Sequence, residues 1–375
     1  MSQDQLTILL LILVSAYFVE YLLLSIGVWR ARRAPLPARS VADADLPTAS
    51  VLVCARDEEG NIEACVRSLA ALDYPKEKLQ LLVVDDKSGD RTPQILERLQ
   101  TEVPNLTVYR TGPEVGQLKG KVNALTQGMD VATGEFVLIT DADSHVDPMW
   151  AKEYIRFYEE DTGMVASITL LDENSFFDSL QSIDWAYLLG MASASANLNV
   201  PLSVIGNNMS VRKSAYESVG GYREIPFSIT EDYALFQAIW HKEPWKVKFR
   251  IHPELTVMSQ ATPNFKAWWR QKHRWVKGGQ SLKALGYLIF GIGLLGNLAM
   301  LVAPFVLPAA AAIMVVLIKW AADLLIILPV LTRIRKTYLL RYFPIYELYI
   351  ALFVFSMPIM ILQKNVVWKG RVYKH

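Results

Sequence analysis

Asp141 and Asp143 stand one residue apart at the end of an apolar run, Phe136-Val137-Leu138-Ile139-Thr140. Such a run reads as a buried strand with both faces covered, which suits a parallel sheet. In open α/β sheets the ligand site lies outside the carboxyl ends of the strands. Carboxylates placed there can hold a hard divalent cation, and that cation can hold a diphosphate. Asp-X-Asp alone is also a common solvated strand end, so its chemistry has to be read with the rest of the chain. Other stretches carry similar potential. Ala55-Arg56-Asp57-Glu58-Glu59-Gly60 and Asp85-Asp86 each follow an apolar run. Thr230-Glu231-Asp232 opens a helix, where carboxylates are in any case stabilised by the backbone dipole. Residues 265–283 set Phe265, Trp268, Trp269, Trp275 or Val276, and Leu282 at helical spacing, with Lys266, Arg270, Lys272, Arg274 and Lys277 between them. That pattern fits an amphipathic helix on a membrane surface.

The elements that must position these residues follow from periodicity. Ser50-Val51-Leu52-Val53-Cys54 is a strand, followed by a helix with Ile62, Cys65 or Val66, Leu69 and Leu72 on one face. Residues 79–84 form a second buried strand. The next helix is expected to open with Thr92 as cap and Pro93 in its first turn. Residues 106–109 form a third strand. A flexible loop then carries Lys119-Gly120-Lys121 into a short helix ahead of the strand that ends at Asp141. Buried strands alternating with helices make a Rossmann-like nucleotide-binding half. Beyond Asp147-Pro148, which starts a helix, the pattern predicts a strand over 164–170 and a strand and turn over 204–211. It then predicts a helix over 213–219 closed by Gly220-Gly221 and an exposed, basic strand over 246–251.

The chain has 375 residues, 52% of them hydrophobic, and a net charge of +1. That is too apolar for a wholly soluble enzyme and too charged for a pure membrane bundle, so both parts are expected. Near-zero net charge gives no support for nucleic-acid binding. Cys54 and Cys65 are the only cysteines. They cannot form a disulfide framework; they fit a reducing compartment and read as core residues. Residues 6–29 are largely apolar and long enough to span a bilayer. Arg30, Arg32 and Arg33 follow at once, which marks an anchor with the next segment in the cytoplasm. Residues 35–47 read as a linker. Apolar runs recur at 285–303, 308–331 and 345–362. Three C-terminal spans would put the tail outside, whereas Lys364, Lys369, Arg371 and Lys374 argue for inside. Pro304 and Pro308 mark a candidate break in a re-entrant or interfacial segment.

In this order and at this spacing, the motifs resemble those of the membrane-bound family 2 glycosyltransferases. The matching residues are Arg56-Asp57-Glu58-Glu59 with Asp85-Asp86, Asp141-Ala142-Asp143, Thr230-Glu231-Asp232, and Gln271-Lys272-His273-Arg274-Trp275 for Gln-X-X-Arg-Trp. Gly120-Lys121 with Ala124-Leu125, and Gly206-Asn207 with Gly220-Gly221-Tyr222, support the match. The resemblance covers roughly 49–279. It implies an α/β fold of GT-A type, a Rossmann-like nucleotide-binding mixed sheet, joined to transmembrane helices. The domains would be a transmembrane anchor over 1–34, a cytoplasmic glycosyltransferase domain over 47–260, an amphipathic interfacial segment over 261–284 and a transmembrane region over 285–375. The resemblance also implies roles. Asp143 would hold Mn2+ or Mg2+, with Asp141 on the metal or the ribose side. Asp86 would bind the base, with Ala55, Arg56 and Glu58 around it and Lys121 near the pocket. Asp232, with Glu231 beside it, would be the catalytic base. Gln271, Arg274 and Trp275 would close over the diphosphate. Cys54 stands where the family often has proline, and Asp57 where asparagine is usual; both bear on nucleotide preference.

The implied reaction is an inverting, metal-dependent transfer of a hexose from a nucleotide-sugar, of UDP type, to a membrane lipid. The enzyme would be a multi-pass protein of a bacterial-type inner membrane. A processive β-linked polysaccharide synthase shares the same motifs, but about four apolar spans are few for a polymer channel. A non-catalytic scaffold or transporter that kept the fold is disfavoured, because every carboxylate that catalysis needs is present. His145 could be a further ligand, an acceptor contact or a solvated loop residue. Trp185 and Tyr187 could line an acceptor groove or pack in the core, and core packing is preferred.

Overall fold

The computed structural model describes residues 2–33, 42–226, 228, 230–279, 284–363, 365–368 and 371–374. Most of the proline linker, together with Leu282, Lys283, Lys364 and Lys369, lies outside the described residues. In chain order the elements are α1 (Gln3–Arg33), β1 (Ala49–Ala55), α2 (Ile62–Ala70), β2 (Leu79–Asp85), α3 (Thr92–Glu102), β3 (Leu106–Arg110), α4 (Lys121–Val131), β4 (Phe136–Asp141) and β5 (Ser144–His145). There follow α5 (Trp150–Arg156), β6 (Thr162–Ala166), β7 (Thr169–Leu171), α6 (Phe176–Ala196), β8 (Asn208–Arg212), α7 (Lys213–Ser218), α8 (Gly221–Glu224), α9 (Glu231–Trp240), β9 (Lys246–Phe249) and β10 (Val257–Ser259). The last are α10 (Phe265–Gly278), α11 (Ala284–Val306), α12 (Ala309–Arg333), α13 (Phe343–Leu362), β11 (Asn365–Trp368) and β12 (Arg371–Lys374).

The chain divides into two compact units. One comprises Arg33–Asp172 and Ser203–Gln260; the other comprises Met1–Arg32, Glu173–Leu202 and Ala261–His375. The first holds a seven-stranded sheet in the order β3-β2-β1-β4-β8-β6-β9. β3, β2, β1 and β4 run parallel, β8 is antiparallel to both β4 and β6, and β9 is parallel to β6. The sheet is therefore mixed: β4 has a parallel neighbour on one side and an antiparallel one on the other. Its apolar run is buried either way, so it could not disclose the direction of its partners.

Val51, Val53, Leu81, Val83 and Leu138 pack in one core with Ile62, Val66, Leu69, Leu96, Leu99, Trp150 and Tyr154. Each such side chain contributes about 1.5–3 kcal/mol on burial. The strand expected over 164–170 is broken at Ser167 and Ile168, and β7 leaves the main sheet to join a second one, β5-β10-β7. β9 forms an edge, with Phe249 buried and Lys246 paired to Asp161 at 2.5 Å.

The second unit is helical apart from the β11–β12 hairpin. Among the described residues, four stretches are long and apolar enough to cross a membrane: Gln3–Arg33, Ala284–Val306, Ala309–Arg333 and Thr337–Leu362. Polar groups tie helices together at their middle. Tyr17 of α1 bonds Asp323 of α12, and Tyr21 bonds Tyr187 of α6. Lys319 pairs with Asp323 at 2.6 Å and also with Glu347 of α13. Buried charges in such helices are costly and are found paired with one another. Tyr187 is thereby a packing residue, as is Trp185; both are buried within this unit.

Candidate functional site

Register brings the strand-end residues of the sheet unit together. Ala55 is paired with Asp85, and Cys54 with Asp141, so the carboxyl ends of β1, β2 and β4 lie side by side. This edge of a parallel sheet is where a ligand is expected. The loop after β1 is fastened to the loop after β2. The Asp86 amide donates to the Ala55 carbonyl at 2.8 Å, and Arg56 Nη1 lies 3.3 Å from Asp86 Oδ2. Asp57 N donates to Ser88 Oγ at 3.0 Å, and Gly89 N donates back to Asp57 Oδ1 at 2.8 Å. Asp57 sits at φ +53°, a conformation that Asp tolerates better than most residues. Glu58 N donates to Thr92 Oγ1 at 2.8 Å, and Glu58 accepts from Asn61 Nδ2 at 2.9 Å.

Thr92 does not cap its helix as the pattern predicts. Its own amide donates to Asp90 Oδ1 at 2.9 Å, and its hydroxyl serves the Glu58 loop. The sequence offered no sign of this, because a Ser or Thr before a helix reads as a cap whatever else lies within reach.

Lys121, the first residue of α4, joins two motifs. Its ammonium lies 2.5 Å from Asp141 Oδ1 and 3.6 Å from Glu231 Oε1. Burial works against its charge, but the two carboxylates outweigh it and hold Lys121 above the ordinary lysine range. The strand-end aspartate and the first turn of α9 are thus linked through one cation, a contact that spacing could not reveal. Asp232 follows Glu231 and accepts from Tyr233 N through Oδ1 at 2.8 Å. Gly206 packs against it so closely that a Cβ there would stand 3.1 Å from Asp232 Oδ2. The Gly206-Asn207 turn therefore shapes the space around this carboxylate.

Asp143 lies just past β4 and is oriented by the small sheet. β5 and β10 place Ser144 opposite Ser259, and both hydroxyls donate to Asp143 Oδ1, at 3.3 and 3.1 Å. Ser259 was not anticipated, since it lies 116 residues away in sequence. Among the described residues no group of three or more His, Cys, Asp or Glu side chains is arranged to hold a metal ion. Asp141 and Asp143 still suit a hard cation chemically, because Mg2+-type sites use one or two protein carboxylates and complete the shell with water and substrate phosphate oxygens. His145 is exposed, with Nε2 3.7 Å from Asp172 Oδ1. Cys65 Sγ donates to the Asp141 carbonyl at 3.5 Å, and burial pushes both thiols up, which suits packing rather than nucleophilic roles.

Gln271, Arg274 and Trp275 belong to the helical unit, on α10. Asn264 caps this helix, its side chain accepting from Ala267 N at 3.0 Å. Spacing of i, i+3 and i+4 puts the three motif residues on one face. All three are half-buried, and Gln271 Oε1 is buried with no hydrogen-bond partner among the described residues. The cationic residues do not all reach outward as a surface helix would have them. Lys272 and Lys277 are buried, the first paired with Asp184 and the second donating to the Ile361 carbonyl at 2.8 Å. Trp268 is also buried, bonded to Tyr349 and edge-on to Phe353. The reason is that α13 packs against α10 and α6 reaches it through Asp184 and Trp185, and lysine stems can lie along such surfaces while the head finds an acceptor.

The model of glycosyl transferase family 21 matches residues 8–375. A beta-monoglucosyldiacylglycerol synthase of Synechocystis sp. is 29% identical over 65% of this chain and 50% of its own. A poly-beta-1,6-N-acetyl-D-glucosamine synthase of Staphylococcus aureus is 25% identical over 64% of this chain and 56% of its own. The chain thus spans about half the length of the curated relatives it matches. A mannosyltransferase from Pyrobaculum calidifontis, solved in complex with GDP-Man and Mn2+, superposes with a TM-score of 0.61 at 20% identity. The match covers 92% of this chain and 99% of that one, and it shows a common fold, the mixed α/β sheet of GT-A type.

Proposed function

The chain belongs to glycosyl transferase family 21, and from that premise we propose that it moves a sugar, with inversion, from a nucleotide-sugar of UDP type to a lipid acceptor in the membrane. The observation that carries this reading is the Lys121 ammonium set between Asp141 and Glu231. It joins the strand-end motif to the Thr-Glu-Asp motif in one charged centre.

In this reading Asp86, Ala55, Arg56 and Glu58 receive the base. Asp141, already engaged by Lys121, serves the ribose side, while Asp143, oriented by Ser144 and Ser259, is the residue that would hold Mn2+ or Mg2+. A cation bound there would offset the charge that develops on the departing diphosphate. Lys121 keeps its own charge and balances Asp141 and Glu231. Asp232 takes the proton from the acceptor hydroxyl as that oxygen attacks the anomeric carbon from the face opposite the leaving group. General-base assistance of this kind is worth about 10²–10⁴-fold. We assign Arg274, with Gln271 and Trp275, to the leaving diphosphate.

A lipid acceptor is supported by relatives named for a glucosylated diacylglycerol and by the four candidate spans. Arg30, Arg32 and Arg33 after the first span favour a multi-pass protein of a bacterial-type inner membrane with the sheet unit in the cytoplasm. The test supplies the purified protein with a panel of labelled nucleotide-sugars and membrane lipids and identifies products by mass spectrometry. A single β-linked sugar on a lipid is expected. A long polymer would instead favour a processive synthase, as the relative named for poly-beta-1,6-N-acetyl-D-glucosamine would suggest.

A further inference from the structure

Lys272 lies inside the Gln-X-X-Arg-Trp stretch, off the face that the spacing gives to Gln271, Arg274 and Trp275. Its side chain is fully buried and paired with Asp184 of α6, which is equally buried. Tyr349 donates to Asp184 Oδ2 at 3.3 Å and in turn accepts from Trp268. Lys272 Nζ lies 4.5 Å from the centre of the Trp275 ring and 4.9 Å from that of Phe353. Trp185, the neighbour of Asp184, meets Trp275 edge-on at 5.3 Å. Trp275 is therefore supported twice from the same turn of α6, by the Asp184–Lys272 pair and by the Trp185 ring.

A buried ion pair is weak evidence for stability. Taking each ion out of water costs several kcal/mol, and apolar replacements of the pair are often neutral or stabilising. What the pair does supply is a fixed position. A lysine ammonium is a point charge, so its carboxylate partner and the ring faces around it set where α10 can sit in rotation and along its axis. We propose that Asp184 and Lys272 are positioning residues for transfer, holding the face of α10 that presents Gln271, Arg274 and Trp275. The inference rests on the role assigned to that motif above, and neither residue touches the reacting atoms.

The test uses the full chain in lipid nanodiscs, with kcat, donor KM and thermal stability measured side by side. Lys272→Met and Asp184→Asn should each lower kcat by about 10–100-fold, the scale of an ångström-sized misplacement, with donor KM within about twofold of the parent. Each should also lower Tm, because each leaves one buried polar partner uncompensated. The double variant, Asp184→Asn with Lys272→Met, should recover Tm yet keep the low kcat. Adding Lys272→Met to Arg274→Ala should cost little further activity, since both changes disable one face. If the double variant regains parental kcat together with parental Tm, the pair only balances charge and the positioning role is overturned, while the transferase reading stands. A rise in donor KM at unchanged kcat overturns it as well. A parent that transfers no sugar from any nucleotide-sugar would overturn the functional reading, and this inference with it.

Discussion

At the residue scale, function is proposed to turn on carboxylates with different neighbours. Asp143 is held by two serine hydroxyls and Asp141 by an ammonium, so the same residue type is prepared for different partners. Asp143→Ala should abolish transfer and remove the divalent-ion dependence of nucleotide binding, measured with Mn2+ or Mg2+ against chelator. Metal dependence that survives in the variant would reassign the ligand. Asp232→Asn preserves shape but cannot accept a proton, so nucleotide binding should persist while kcat falls by about 10² or more. Turnover within tenfold of the parent, roughly the lower edge of such effects, would rule Asp232 out as the base. Lys121 gives a pH prediction. Its folded pKa is raised above the ordinary value, so the stability its ion pairs contribute is fully present below that ordinary value. That contribution is lost only as pH rises through the folded value, and neutral pH leaves it intact. Lys121→Met removes the ammonium that joins Asp141 to Glu231, so kcat/KM should fall by about 10-fold or more at neutral pH, the scale of a small misplacement of reacting groups. Parental kcat/KM in the variant would mean the ion pairs do not reach the reacting groups.

At the element scale, α10 behaves as a packed helix. Trp268 is buried against Tyr349 and Phe353, whereas Trp269 is half-buried. Trp268→Ala should therefore cost about 3–5 kcal/mol of stability, a cavity effect, and Trp269→Ala markedly less. Thermal unfolding in one detergent would check this, and equal losses would restore the picture of a helix lying free on the bilayer surface. This helix also marks how far sequence reading reaches. Its period of apolar residues was legible, as were its motif and its length, because they are local. What packs against it was not legible, since Asp184 of α6 and Tyr349 of α13 come from distant parts of the chain. Lys272 accordingly read as a surface cation. The sheet divides in the same way. β1, β2 and β4 announce themselves by apolar runs ending at or beside acidic residues, which marked Asp86, Asp141 and Asp143 as candidates. The antiparallel insertion of β8 and the break between β6 and β7 depend on long-range pairing that no local pattern encodes. Ser259 was hidden for the same reason.

At the scale of the whole molecule, the orientation proposed from the arginines after α1 can be tested. Glu217 is exposed at the end of α7, in the sheet unit. A cysteine placed there should resist a membrane-impermeant maleimide in intact cells and react in inverted vesicles. Labelling in intact cells would place the sheet unit on the outer side. The helical unit is drawn from three separate parts of the chain, and this has a consequence for biosynthesis. Tyr17 finds its partner Asp323 only after 306 further residues have been made. At about 5–20 residues per second, translation takes about 15–60 s to deliver that partner. Over the same interval Tyr21 gains Tyr187 much earlier, 166 residues on. The first helix therefore gains its polar partners in two stages, α6 first and α12 last. A nascent chain halted between them would hold the Tyr21–Tyr187 contact without the Asp323 carboxylate that Tyr17 meets in the complete chain.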